Sequence, residues 1–349
     1  MSMPDSDPLQ RIIIDPDNVQ AATRDGVAAD VPKGLPTPKA SNTHPSNPGG
    51  ENGSVYFVGT ATTIIEWNGV RIMTDPNFLH AGDHVHLGPG VYSKRKTNPA
   101  VDLHELPRID VVLLSHYHAD HFDQLVEDSL RRDLPIISTP HAKSALGSKE
   151  DPFTSLYELD TWHRMMVNLK SDLPGPEKPG FRITAMPGKH VPDIRPLEMI
   201  NDFLGAVPPT NGYILEMGYG EDPRTFKVCY RIYITGDTLM YDQLDIISRI
   251  SLGNIDLMLI HLGGTTVPGP WMNPLTVMLT MDAKQGTELV QLMKPRLTIP
   301  IHYDDYDVFA SPLEDFKKEI DKAGLGGGVV YLDRGDEYRF KVRDVKDAI

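Results

Sequence analysis

One cysteine in 349 residues excludes an intramolecular disulfide and fits a reducing compartment. That residue, Cys229, lies in FKVCYRIYIT, which reads as a buried strand with the thiol as inert packing. Long hydrophobic runs are missing: no stretch approaches the ~20 apolar residues of a membrane span. The start, MSMPDSDPLQRIII, has neither the basic opening nor the apolar core of a secretory signal, so a cytoplasmic protein without stable membrane association is expected. No exposed apolar groove or amphipathic helix stands out for lipid binding. Basic charge is scarce, with 34 Lys and Arg against 48 Asp and Glu and a net charge of -14. Nucleic-acid binding depends on neutralising phosphates, so a general nuclease is disfavoured and no nucleic-acid partner is expected.

A hydrophobic content of 40% is enough for a substantial globular core. Residues 1–52 are rich in Pro, Asn, Ser, Asp and Gly and read as an extended or disordered N-terminal arm. Its one apolar cluster, Ile12 to Ile14, suits a clip onto the body of the domain or onto a second copy in a homo-oligomer. Residues 53–349 read as one domain. VYFVG, TTIIEW and VRIMTD are short β runs, the last two joined by a hairpin turn at Asn68 and Gly69. Pro76 to Leu106 forms a loop long enough to be functional. Further strands are expected at PIIST, FRITAM, GYILEM, FKVCYRIYITG, DLMLIHL, LTIPI, VVYL and YRFKV. Helical spacing marks FDQLVEDSLRRD, LMYDQLDIISRI, AKQGTELVQLM with Asp282 as its N-cap, and the segment from Pro312 to Ala323. Strands in two groups, each mixed with helices, imply two sheets packed face to face with helices outside.

Leu113 to Phe122, LLSHYHADHF, places three histidines and an aspartate within six residues directly after a β run. Imidazole and carboxylate donors suit zinc and its first-row neighbours. His116 and His118 share a side of an extended chain, and Asp120 and His121 follow where it must turn. Three more donors each follow a strand: His190 in AMPGKHVP, Asp237 in YITGDT and His302 in TIPIHYDDY.

The order Asp75, then His116, His118, Asp120 and His121, then His190, Asp237 and His302 resembles the metallo-β-lactamase superfamily across about residues 54 to 342. The resemblance implies an αββα sandwich of two mixed sheets with the metals at one edge. It also implies that His116, His118 and His190 bind one ion, that Asp120, His121 and His302 bind another, and that Asp237 bridges them. Asp75 matches the family's non-ligand aspartate behind the ligand loop. FVGTATTIIEWNGVRIMTDPNF and GDHVHLGPG resemble the branch containing ascorbate-phosphate lactonases and N-acyl-phosphatidylethanolamine phospholipases. Fungal lactam hydrolases of this kind open benzoxazolinone-type rings. His261 in LMLIHLGGTT departs from the family's general ligand set.

These residues imply hydrolysis by a hydroxide held between two divalent ions, zinc expected and manganese or iron the alternatives. Asp120 is the expected proton shuttle, with His261 and Tyr303 in reserve. The expected substrate is a small cyclic amide or ester, a lactam or lactone. The alternatives are a phosphodiester cleaved in the manner of phospholipase D, and, further off, iron-dependent redox chemistry. His84 and His86, with His80, Lys94, Arg95 and Lys96 nearby, are expected to receive an anionic part of the substrate, and Trp271 in VPGPWMNP to wall the pocket.

Overall fold

Alternation along the strands decides the layering. Val55 and Phe57 face one apolar cluster, which also holds Phe181, Leu215 and Ile232, while Tyr56 and Val58 face another. Successive side chains of a strand point to opposite faces, so strands buried on both faces must lie between two packed layers.

The computed structural model describes residues 10–46, 49–88, 90–192, 194–251, 254–267 and 276–347. One sheet has seven strands in the order Gln10–Ile14, Arg164–Leu169, Pro179–Pro187, Asn211–Tyr219, Lys227–Ile234, Leu257–His261 and Thr298–Ile301. The other has eight: Leu156–Glu158, Ile136–Ser138, Val111–Leu113, Val70–Thr74, Thr62–Trp67, Gly53–Gly59, Glu337–Phe340 and Ser41–Thr43. Helices Gln124–Ser129 and Pro140–Gly147 cover the outer face of the eight-stranded sheet through Val126, Ala142 and Leu146. Helices Leu244–Ser251, Ala283–Met293 and Leu313–Lys322 cover the other through Ile247, Leu289 and Phe316. The result is the expected αββα sandwich. Asp282 caps its helix by accepting from the Gln285 N–H at 2.9 Å. The hairpin turn has positive φ at both Asn68 and Gly69, as a two-residue turn of that type requires.

Three expectations are corrected. First, the described part of the arm is not disordered: Gln10–Ile14 pairs in parallel with Arg164–Leu169, and Ser41–Thr43 pairs with Glu337–Phe340. Ile12 and Ile14 are buried while Ile13 is 69% exposed, so the triple isoleucine clips to this chain's own sheet as an edge strand. Second, VVYL forms no strand, and Val329 makes one isolated bridge to Thr298 after a turn over Gly326–Gly328. Third, Arg195–Leu204 is an amphipathic helix whose Met199, Phe203 and Leu204 are exposed. Among the described residues no helix is long and apolar enough to cross a membrane.

Candidate metal centre

The strands that end at one edge of the sandwich deliver the cluster. Val70–Thr74 and Val111–Leu113 run parallel and stop just before Asp75 and Ser115. Lys227–Ile234, Leu257–His261 and Thr298–Ile301 are also mutually parallel and present Asp237, His261 and His302. Pro179–Pro187 shares their direction, because two antiparallel pairings separate it from Lys227–Ile234, and it leads to His190.

Local backbone makes these ends turn. Gly236 has φ +62, and a Cβ there would stand 2.4 Å from the Asn211 carbonyl oxygen, so only glycine lets the chain bend into Asp237. Asp75 and His302 hold positive φ themselves, at 34° and 59°. Such conformations persist only where their surroundings fix them, and the His302 N–H is held by the Thr60 carbonyl at 2.6 Å.

Three neighbouring donor groups result: His116, His118 and His190; Asp120, His121, Asp237 and His302; and, sharing His121 with the second, Asp75, His121 and His261. Within each, the ligand atoms all lie within 4.8 Å of one another. Asp237 Oδ2 lies 3.3 Å from His121 Nε2 and 3.8 Å from His190 Nε2, so this carboxylate stands between the first two groups. Asp120 Oδ1 is 2.9 Å from His118 Nδ1, and its Oδ2 is 3.6 Å from His302 Nε2.

Four of the imidazoles are oriented from behind. Nδ1 of His190 faces the Leu279 carbonyl at 2.8 Å, and Nδ1 of His302 faces the Leu262 carbonyl at 3.0 Å. A carbonyl only accepts, so both rings carry hydrogen on Nδ1. His121 Nδ1 lies 3.1 Å from Asp75 Oδ2, and His116 Nδ1 lies 2.9 Å from Ser115 Oγ. The Ser115 hydroxyl donates to Asp75 Oδ2 at 2.8 Å and its backbone N–H to Oδ1 at 2.6 Å. Thr280 donates to Asp237 Oδ2 at 3.0 Å. Each Nε2 is thereby left as a lone-pair donor, the arrangement second-layer hydrogen bonds give to metal-binding histidine.

Nε2 of His116, His118, His121 and His302, with Oδ1 of Asp120 and of Asp237, are buried without a hydrogen-bond partner. An orphaned buried polar atom costs about 1–3 kcal/mol, so so many converging on one place point to a common acceptor of lone pairs. Charge says the same. Burial opposes ionisation of Asp120 and Asp237, yet the surrounding histidines hold both well below the usual carboxylate range. Burial also opposes charge on His121, but Asp237 and Asp120 push it well above the ordinary imidazole value, and His302 rises for similar reasons. Burial and neighbouring imidazoles hold His116 well below the ordinary imidazole value, and burial above all pulls His190 down to about 4. The carboxylates thus demand positive charge, which divalent cations supply without protonating the donors. The donor set fits metal ions.

The remaining sequence-predicted residues separate. His84 and His86 lie on a small hairpin strand, His84–His86, and line a cavity of about 430 Å³ that His118, Tyr117 and Phe122 also line. Tyr303 is corrected: its hydroxyl donates to the Leu332 carbonyl at 2.7 Å, and its ring packs in the core between the sheets, so it cannot act on a substrate. His261 is fully buried behind Asp75, with Nε2 3.5 Å from Oδ2, too enclosed to serve as the reserve acid. Arg95 is likewise not an anion receptor, being buried with its Nε–H on the Thr97 carbonyl and its guanidinium over the Tyr306 ring. Trp271 lies outside the described residues. Sequence reasoning missed Ser115, Thr280 and Thr235, whose Oγ1 accepts the His261 backbone N–H at 2.9 Å, because a hydroxyl beside a site residue is as ordinary as any other, and the Leu262 and Leu279 carbonyls carry no side-chain signal at all.

A family model described as a β-lactamase superfamily domain matches residues 70–303. The chain belongs to the metallo-β-lactamase superfamily. Its sequence is 26% identical over 287 residues to a metal-dependent hydrolase of Archaeoglobus fulgidus, covering 82% of this chain and 98% of that protein. The fold is similar to that of an isothiocyanate hydrolase from Delia radicum gut bacteria, with a TM-score of 0.62 and 15% identity over 83% of this chain and 100% of the other. It is also similar to that of a metallo hydrolase from the archaeon Ignicoccus hospitalis, with a TM-score of 0.55 and 19% identity over 83% and 99% of the two chains.

Proposed function

We propose that this protein is a dinuclear metal-dependent hydrolase that opens a small cyclic amide or ester. The observation that carries the reading is the convergence of unpartnered Nε2 and carboxylate atoms from two adjoining donor groups. His116, His118 and His190 hold one divalent ion, Asp120, His121 and His302 hold the other, and Asp237 is shared; zinc is the expected metal, with manganese or iron as alternatives. When bound, such ions supply an activated water and polarise a carbonyl or phosphoryl oxygen. Asp75, Ser115 and the Leu262 and Leu279 carbonyls keep the imidazoles aimed, and Asp120 carries the proton to the leaving group. The cavity beside His118 receives the ring against Leu79, Val85 and Phe122, with His84 and His86 at its polar side.

A second reading, phosphodiester cleavage of an amphiphilic substrate, is favoured by one observation. Glu198 and Asn201 of the helix Arg195–Leu204 line a cavity of about 670 Å³ that His190 also lines, while Met199 and Phe203 of the same helix face solvent. The deciding experiment is a panel assayed with metal-quantified protein: benzoxazolinone, a homoserine lactone, bis(p-nitrophenyl) phosphate and an isothiocyanate. Chelator-sensitive ring opening with about two metals per chain supports the first reading. Turnover of the phosphodiester alone replaces it with the second, and turnover of the isothiocyanate alone overturns both.

A further inference from the structure

We propose that His261 is a positioning residue: its Nε2–H points at Asp75 and steadies the carboxylate that orients one histidine from each of the first two donor groups. The inference rests on the dinuclear reading above and adds a role that the ligand set does not contain.

Asp75 is a junction. Its Oδ2 takes the His121 Nδ1–H directly, and it reaches His116 through the Ser115 hydroxyl. His261 approaches the same oxygen from the neighbouring sheet, with Nε2 at 3.5 Å; this Nε2 is buried without a formed hydrogen bond, so it acts on Oδ2 as an N–H dipole at a distance. Its ring lies nearly parallel to that of His121, with centroids 6.1 Å apart and planes at 15°.

The hydrogen positions follow by elimination. A bare lone pair on Nε2, facing an ionised carboxylate in a buried site with no cation between them, would be repulsive, so Nε2 carries a hydrogen there, whereas the His121 Nε2 facing Asp237 is left bare for a metal. Nδ1 lies 3.2 Å from Thr235 Oγ1, which already accepts the His261 backbone N–H at 2.9 Å. If the Thr235 hydroxyl donates to Nδ1, His261 is neutral with its hydrogen on Nε2. If it donates instead to the Gly236 carbonyl, 3.0 Å away, Nδ1 must be protonated too and the ring is a cation. Both cases keep hydrogen on Nε2. His190 and His302, whose Nδ1 atoms face carbonyls, have the opposite tautomer. His261 therefore has the wrong tautomer for a ligand and the right one for a donor to Asp75.

Nitrogen-15 long-range correlation spectra of the zinc-loaded protein test this directly. The expected result is hydrogen on His261 Nε2, with hydrogen on Nδ1 and a metal-shifted Nε2 at His190 and His302. A bare or metal-shifted Nε2 at His261 overturns the proposal. Competition with a chromophoric chelator then reads the role. His261→Ala should weaken the tighter-coupled ion of the Asp120, His121 and His302 group by about 10–100-fold and the other ion less. His261→Gln, whose amide N–H can take the place of Nε2–H, should restore most of the loss. Thr235→Val should fall between, and keeps the test open if His261→Ala does not fold. Unchanged affinity of both ions in a folded His261→Ala or Thr235→Val protein overturns the proposal. Fewer than two ions on the wild-type protein overturns the dinuclear reading instead, and the tautomer spectrum still decides the position of the His261 hydrogen.

Discussion

Replacing Asp75 by Asn removes one charge and no volume, which makes it the sharpest perturbation of the metal centre that leaves the ligands in place. Oδ1 accepts the Ser115 N–H, and Oδ2 accepts the Ser115 O–H and faces His121 Nδ1. If the amide oxygen keeps the Ser115 N–H, the amide NH2 is turned toward two donors. Hydrogen bonds to a charged group contribute about 1.5–3 kcal/mol each, so losing two costs roughly 3–6 kcal/mol. Rotation of the Ser115 hydroxyl to accept from the amide recovers about 1 kcal/mol, leaving a loss of at least ~2 kcal/mol. At about 2 °C per kcal/mol for a chain larger than 250 residues, the chelated variant should melt roughly 4 °C or more below the wild type. Metal affinity should fall by about 10–100-fold at both positions, since Asp75 supports His121 directly and His116 through Ser115. Differential scanning of the chelated protein and competition with a chromophoric chelator measure the two effects. A variant that melts within 1 °C (roughly half a kcal/mol) of the wild type and keeps both metals at full affinity would refute the junction role.

Asp237→Ala and His116→Ala should each lose metal and activity together, and full retention of both by either protein, measured by elemental analysis and turnover, removes the two-metal reading. Tyr303→Phe should cost about 1 kcal/mol of stability for its hydrogen bond to Leu332 and leave the turnover number unchanged. His84→Ala with His86→Ala should raise KM for a ring substrate while sparing kcat, because both line the cavity and neither lies among the metal donors. For pH, burial opposes charge on His121 and His302, but their aspartate neighbours raise both above the unfolded value of about 6.5. Their contribution to the chelated protein is therefore fully present below that pH and is lost as pH rises through the raised folded values. Melting curves from slightly acid to alkaline pH should show the chelated protein weakening and the metal-loaded protein holding, and calorimetry near neutrality in buffers of different ionisation enthalpy should show protons released on metal uptake.

The candidate metal donors were legible because each follows a β run, and strands that end at one edge necessarily bring their next residues together. Seven donors scattered from His116 to His302 fall into two groups on that basis. The layering was legible from strands that fall in two groups, each mixed with helices. What was illegible depends on partners distant in the chain. Gln10–Ile14 is a five-residue edge strand whose isoleucines acquire an inside and an outside only against Arg164–Leu169. Tyr303 looked available because it adjoins a ligand, but the left-handed backbone at His302 turns the next side chain back into the core. VVYL is apolar enough for a strand, yet it follows a run of three glycines and finds only one bridging partner. The helix Arg195–Leu204 escaped notice although its apolar residues have helical spacing, and Met199, Phe203 and Leu204 are exposed on it.

His261 joins these two kinds of legibility. Its place at a strand end marks it, like the ligands, as a residue delivered to the working edge, yet its neighbours give it different chemistry. At His190 and His302 a carbonyl stands behind Nδ1 and leaves Nε2 bare; at His261 a hydroxyl stands behind Nδ1 and a carboxylate stands before Nε2. A carbonyl can only accept, so it holds the hydrogen on Nδ1 at His190 and His302 and leaves Nε2 for metal; a hydroxyl can give or receive, so at His261 the carboxylate keeps the hydrogen on Nε2 and the ring supports that carboxylate. Thr235→Val should therefore leave the hydrogen on Nε2 but remove the partner of Nδ1 and loosen the ring, without touching a single metal ligand. The spectroscopic shift at Nδ1 and the affinity of the ion bound by His121 should move together.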